Sequence, residues 1–232
     1  YKLNLKDLID IKGDNILHFF NNYGLDDGDR FIQLIKIVIK KKTNNPDITF
    51  KELYDITHKN LIITGTCVEK ECVEYFNHIR TPDMPVYLAI RISISLPFIF
   101  NRVVYNNYTY IDGGFIEYFP IQYFKNISES LALGIKNDSL DNTTLINSVE
   151  SYVYKLLCGL YRVNQENVLH MCKDNTIIYN TNINGLHNID IDTKKTIITY
   201  GYEKTNEYFS DIIIKNTLDN IIDLIITNNL LK

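Results

Sequence analysis

At 232 residues, with 45% hydrophobic and 22% charged side chains, the chain is long enough for one sizeable core and has the composition of an ordinary soluble globular protein. Its net charge of −4 argues against a nucleic-acid binder, which presents a basic face. No apolar run approaches the roughly 20 residues of a membrane span, and Cys67, Cys72, Cys158 and Cys172 form no Cys-x-x-Cys pair, which argues against zinc and reads as reduced thiols in a cytoplasmic protein.

Residues 3–11 read as a short amphipathic helix, and residues 21–29 as a loop punctuated by Gly24 and Gly28. Phe31, Leu34, Ile35, Val38 and Ile39 then recur at helical spacing and make one apolar face. Asp26, Asp27 and Asp29 before it and Lys40, Lys41 and Lys42 after it suit the helix dipole. After a linker at 43–47, Thr49 and Glu52 form the capping box of a second helix. β-rich runs at 61–67 and 72–76 flank a charged turn at 68–71, which predicts a hairpin. Pro82 and Pro85 introduce a helix through Val86, Leu88, Ala89, Ile92 and Ile94 that ends before Pro97. Strands around 103–105 and 108–111 meet at Asn106 and Asn107, residues that tolerate left-handed backbone.

Residues 120–124 show no clear preference. Residues 131–135 read as a buried strand, 137–142 as a polar loop, 148–163 and 167–171 as helices and 176–180 as a strand. Residues 193–214 and 218–231 read as helices, with Gly201 a break in the first. Strands alternate with helices, so the class is α/β. Neither an internal repeat nor a domain linker is visible, and 1–232 reads as a single domain.

The chemistry concentrates at Tyr110-Ile111-Asp112-Gly113-Gly114, a strand running into a tight turn that presents a carboxylate. Such a turn needs no function, because glycine tolerates positive φ. It also suits a general base: a carboxylate at a strand end, with glycines that let a neighbouring backbone come close, can take a serine hydroxyl's proton directly. The Gly-x-Ser-x-Gly elbow that would present that serine is absent from the 232 residues. Ser93 and Ser95 lie on a helix without flanking glycines and read as small residues at a close helix contact. Arg91 reads as half of a surface or structural ion pair, or as a support of the Asp112 loop.

His18, His58, His78, His170 and His187 are scattered and show no metal or triad spacing. The cluster Asp26, Asp27 and Asp29 fails the calcium-loop pattern, and helix capping explains it. No Gly-x-Gly-x-x-Gly or P-loop lysine supports nucleotide binding. Nothing calls for a metal or cofactor. Phe98, Ile99, Phe100, Tyr105, Tyr108 and Tyr110 make an apolar concentration around Asp112, suited equally to a core and to an acyl pocket.

Asp112-Gly113-Gly114, followed by Pro120, resembles the base motif of the patatin-like phospholipase family. The run Ala89-x-Arg91-x-Ser93-x-Ser95-x-Pro97 is similar to the family's small-residue helix before the base. Residues 81–85, Gly24 to Gly28, 49–54 and 61–66 resemble the preceding segments in the same order. The wording is nearest to patatin-like proteins of large DNA viruses. The resemblance is best over 1–135, with 136–232 a C-terminal helical extension of the same domain.

This resemblance implies a three-layer fold with a central, mostly parallel sheet flanked by helices. It implies a Ser–Asp dyad acting on acyl esters of phospholipids or other lipids, with peripheral contact at membranes. Asp112 would be the base, supported by Gly113, Gly114, Pro120 and Arg91. The serine elbow and the Gly-rich oxyanion turn would precede the base, and neither is present. Together with a start on Tyr1, this gives the expectation of an N-terminally truncated hydrolase, inactive alone and missing its first strands. The alternative is a non-catalytic module on the same fold that binds lipid or protein.

Overall fold

The computed structural model of the chain describes residues 16–124, 130–137, 146, 149–169, 175–181 and 190–230. The helix expected at 3–11 and most of the loop at 137–142 lie outside them, as do His170, Cys172 and His187. The described residues form two compact units, one drawn from 3–123 with 144–171 and the other from 124–143 with 172–232.

In the first unit, α1 (Ile16–Asn22) leads into β1 (Gly24–Asp26), α2 (Asp29–Thr43) and α3 (Phe50–Thr57). A hairpin follows, β2 (Ile63–Cys67) and β3 (Cys72–Phe76), then α4 (Val86–Ser93). Three strands come next, β4 (Phe98–Phe100), β5 (Val103–Tyr105) and β6 (Tyr108–Asp112). Short 3-10 turns span Gly113–Phe115 and Pro120–Tyr123, and α5 (Val149–Leu169) completes the unit.

The capping box is as expected: the Thr49 side chain accepts from Glu52 N–H, and the Glu52 carboxylate accepts from Thr49 N–H at 2.9 Å. Asn106 and Asn107 both take positive φ, 47° and 64°, at the turn between β5 and β6. That geometry matches the right-handed twist of the two strands.

Strands β3, β2, β6 and β5 form a four-stranded antiparallel sheet in that order. Parallel pairing occurs between β1 and β4. The α/β class holds, with its largest described sheet antiparallel because hairpin turns join β2 to β3 and β5 to β6. Helix α4 packs against β2 and β6. Ala89 and Ile92 from the helix, Cys67, Phe76 and Tyr110 from the sheet, and Ile48, Phe50, Met84 and Val86 make the core. Gly65 permits this approach: a Cβ there would clash with Ile92 and lie 2.8 Å from the Phe76 ring.

The segment 21–29 contains a strand where a loop was expected. β1 is only three residues long, too short for a periodic signal, and its partner β4 lies some 70 positions on. Gly24 is there for close approach, since a Cβ would overlap the backbone of Phe100 and Asn101. The N-cap of α2 is Gly28 at φ 75°, not an aspartate. Asp26 and Asp27 instead accept from the N–H groups of Gly28 and Asp29. The apolar face of α2 is only partly covered, and Val38 is 53% exposed.

The second unit contains β7 (Ala132–Asn137), β8 (Thr176–Thr181) and α6 (Ile191–Leu230). β7 and β8 pair in parallel, and α6 packs against β8. The expected buried strand is buried on one face only: Ala132 and Gly134 face inward while Leu133 and Ile135 are exposed, the two-residue alternation of a one-sided strand. Gly201 does not interrupt α6, because it lies in open surroundings where a helix tolerates glycine at modest cost. The two helices expected over 148–171 are likewise one, α5. Among the described residues, no helix is long and apolar enough to cross a membrane.

Candidate active site

Asp112 ends β6, opposite Gly65 of β2. Its backbone is held on both sides. The N–H donates to Ser95 O at 3.0 Å, and the carbonyl accepts from Thr66 Oγ1 at 2.9 Å. The chain then enters the 3-10 turn, and Asp112 Oδ1 caps it by accepting from Gly114 N–H at 3.0 Å. The glycines serve by their size. Gly28 is the described glycine with positive φ, so neither Gly113 nor Gly114 is present for left-handed backbone. A Cβ on Gly113 would clash with Thr64 Oγ1 and lie 2.8 Å from the Thr64 carbonyl carbon. One on Gly114 would meet Tyr161 Cε1 at 3.4 Å, an ordinary contact.

Burial raises the pKa of Asp112 from its ordinary value, and the bonds from Gly114 and Tyr161 oppose this only in part. The Tyr161 hydroxyl, from α5, lies 3.5 Å from Asp112 Oδ2. Burial and the nearby aspartate together push the phenols of Tyr118 and Tyr161 up. The two rings meet edge-on with centroids 6.5 Å apart. The turn is held from two further directions. Asn164 Nδ2 donates to Phe115 O at 3.2 Å, and the Tyr75 hydroxyl donates to the Glu117 carboxylate. Pro120 opens the second 3-10 turn, which buries Ile121.

Arg91 is 2% exposed, so it makes no surface pair. Its Nη2 donates to the carbonyls of Asp27 at 2.9 Å and Asn101 at 3.2 Å, and its Nη1 donates to Ser95 Oγ. Its guanidinium lies 5.2 Å from the Phe100 ring centroid and close to the charges of Asp26, Asp27 and Asp29. Ser95 Oγ donates to Arg91 O at 2.6 Å, so the hydroxyl is committed to the helix end, while Ser95 O receives Asp112 N–H. Arg91 therefore reaches the Asp112 strand through Ser95.

Tyr161, Tyr118 and Asn164 were not singled out by the sequence. Tyr161 comes from a helix 49 residues beyond Asp112, and no local pattern announces that meeting. The aromatic concentration expected around the base is partly elsewhere: Tyr110 hydrogen-bonds Glu74, and the Tyr108 ring lies under Lys70. His78 stacks on Tyr54 at 3.8 Å and bonds Asn60. Among the described residues, no cluster of His, Cys, Asp or Glu could hold a metal ion.

The family model for patatin-like phospholipase matches residues 1–125, more than half of the chain, and takes in β1 to β6 and the Asp112 turn. The chain belongs to the patatin-like phospholipase family. Among its relatives is "Uncharacterized protein R571" of Acanthamoeba polyphaga mimivirus, 27% identical over 205 residues, 84% of this chain and 68% of the relative. Another is "Probable lipid hydrolase 463L" of Invertebrate iridescent virus 6, 34% identical over 101 residues, 44% of this chain and 35% of that protein. Both come from large DNA viruses, in keeping with the wording of the motifs. Of solved structures, VipD from Legionella pneumophila is similar with a TM-score of 0.47 and 17% identity, covering 72% of this chain and 36% of that one. The patatin-like match ends before α5, so Tyr161 and Asn164 lie outside it.

Proposed function

We propose that Asp112 is the general base of a Ser–Asp dyad that hydrolyses acyl esters of lipids, with the serine supplied by sequence N-terminal to residue 1. The observation that carries this reading is the state of the Asp112 carboxylate. It is half-buried at a strand end, one oxygen is fixed by Gly114 N–H, and its pKa is raised by desolvation. A base of raised pKa can hold the nucleophile's proton during turnover.

In the proposed reaction Asp112 Oδ2 takes the serine proton as the serine oxygen attacks the ester carbonyl. The tetrahedral intermediate collapses to an acyl-serine, and the departing alcohol takes the proton from Asp112. Water, deprotonated by Asp112, then attacks the acyl-serine; the serine oxygen departs, takes that proton back from Asp112, and the fatty acid is released. Phospholipids at a membrane surface reached from the cytoplasm are the proposed substrates, bound peripherally. Losing a single oxyanion donor costs about 100- to 1000-fold, and the 232 residues carry neither the elbow nor the Gly-rich turn. The chain by itself is therefore expected to be inactive.

The absence of a Gly-x-Ser-x-Gly also favours a second reading, a non-catalytic module that binds lipid or a partner protein. The coding sequence upstream of residue 1 separates the two. A Gly-rich turn followed by Gly-x-Ser-x-Gly is the expected result. A start codon immediately before Tyr1 would remove the dyad and leave the binding module.

A further inference from the structure

Helix α5 brings a second residue to the proposed base. The Tyr161 hydroxyl lies 3.5 Å from Asp112 Oδ2, the carboxylate oxygen that Gly114 does not engage. Three residues on, Asn164 donates to Phe115 O. Positions three apart share one face of a helix. One face of α5 thus meets both the carboxylate and the turn that carries it. The Tyr161 ring is half-buried and packs edge-on against Tyr118, which restrains its rotamer. At 3.5 Å the hydroxyl stands beyond the usual length of an O–H···O hydrogen bond, and catalytic hydrogen bonds that are long in the free enzyme tighten as the reacting groups assemble.

We infer that Tyr161 is a positioning residue for Asp112: its hydroxyl fixes the orientation of the carboxylate while Asn164 pins the turn, so that Oδ2 is held in one place. The catalytic consequence rests on the reading of Asp112 as the base, whereas the geometry does not. The groups that face the carboxyl are Gly114 N–H, the Tyr161 hydroxyl and the Tyr118 phenol, with Cys158 beside Tyr161 on α5. Tyr161 donates to the ionised carboxylate, which lowers the pKa of Asp112, so removing the donor must raise it.

The test is the Asp112 carboxyl titration, followed by carbon-13 NMR on the protein expressed from its complete reading frame, in the wild type and in Tyr161→Phe. Phenylalanine keeps the ring packing and deletes only the hydroxyl. An upward shift of about half a unit or more is expected, with unfolding still cooperative and, by linkage, slightly less stable where the carboxyl is ionised. A reciprocal measurement serves if that variant does not fold: Asp112→Asn should lower the Tyr161 phenol pKa, because the aspartate charge helps hold it high. An Asp112 titration unmoved in folded Tyr161→Phe, or a Tyr161 titration unmoved in Asp112→Asn, would overturn the inference. Neither readout involves hydrolysis. A failure of Asp112 as the base would appear separately, as undiminished ester cleavage in Asp112→Asn.

Discussion

Gly113 and Gly114 are adjacent and identical, yet their surroundings differ. Gly113 is buried against the backbone of β2, and a Cβ would sit 2.8 Å from the Thr64 carbonyl carbon. A neighbouring strand cannot yield as a flexible side chain can. Gly113→Ala should therefore cost about 1–3 kcal/mol of stability, the usual range for overpacking. Gly114→Ala should change stability by less than about 0.5 kcal/mol, because its Cβ would make an ordinary contact with Tyr161 and its φ is not positive. Urea unfolding of the two variants checks this; equal destabilisation would contradict it. The Asp-Gly-Gly turn was legible in sequence, with two reasons for its glycines, positive φ and close approach of a neighbouring backbone, and Gly113 bears out the second. Positive φ is a local property that a tripeptide suggests, whereas close approach to Thr64 depends on where β2 lies.

At the scale of elements, Arg91 ties three pieces of chain together. It spans the Asp27 carbonyl before α2, the Asn101 carbonyl after β4 and the Ser95 hydroxyl at the end of α4. Gly28 must lack a side chain to admit it, since a Cβ would lie 2.6 Å from Arg91 Cζ. Only a planar fork of several donors satisfies such a set, and lysine's single ammonium cannot. Arg91→Lys should cost at least about 2 kcal/mol through carbonyls left unpaired in a buried site. Thermal unfolding at fixed pH measures it, and a variant as stable as wild type would refute the role.

Elements with a local signature were readable: the α3 capping box, the hairpin of β2 and β3, and the Asn106-Asn107 turn. β1 and β4 were not, because three-residue strands carry no periodicity and exist only through each other. Weakly patterned stretches in α5 and α6 look like helix ends in the sequence. In each, the backbone continues through.

At the scale of the whole molecule, the order of the motifs carried the family, and the match over 1–125 bears it out. Residues beyond 125 offered no motif, and they supply Tyr161 and Asn164 to the Asp112 turn. A contact between segments so far apart is a product of folding that no short pattern encodes. The measurement that bears most directly on Asp112 is the hydrolysis rate of phospholipid vesicles by the protein expressed from its complete reading frame, wild type against Asp112→Asn. Asparagine keeps the Oδ1 acceptor for Gly114 but cannot take a proton. A fall in kcat of about 100-fold or more, with the fold intact, is the predicted result for a lost general base. An Asp112→Asn enzyme that hydrolyses lipid at the wild-type rate would contradict it.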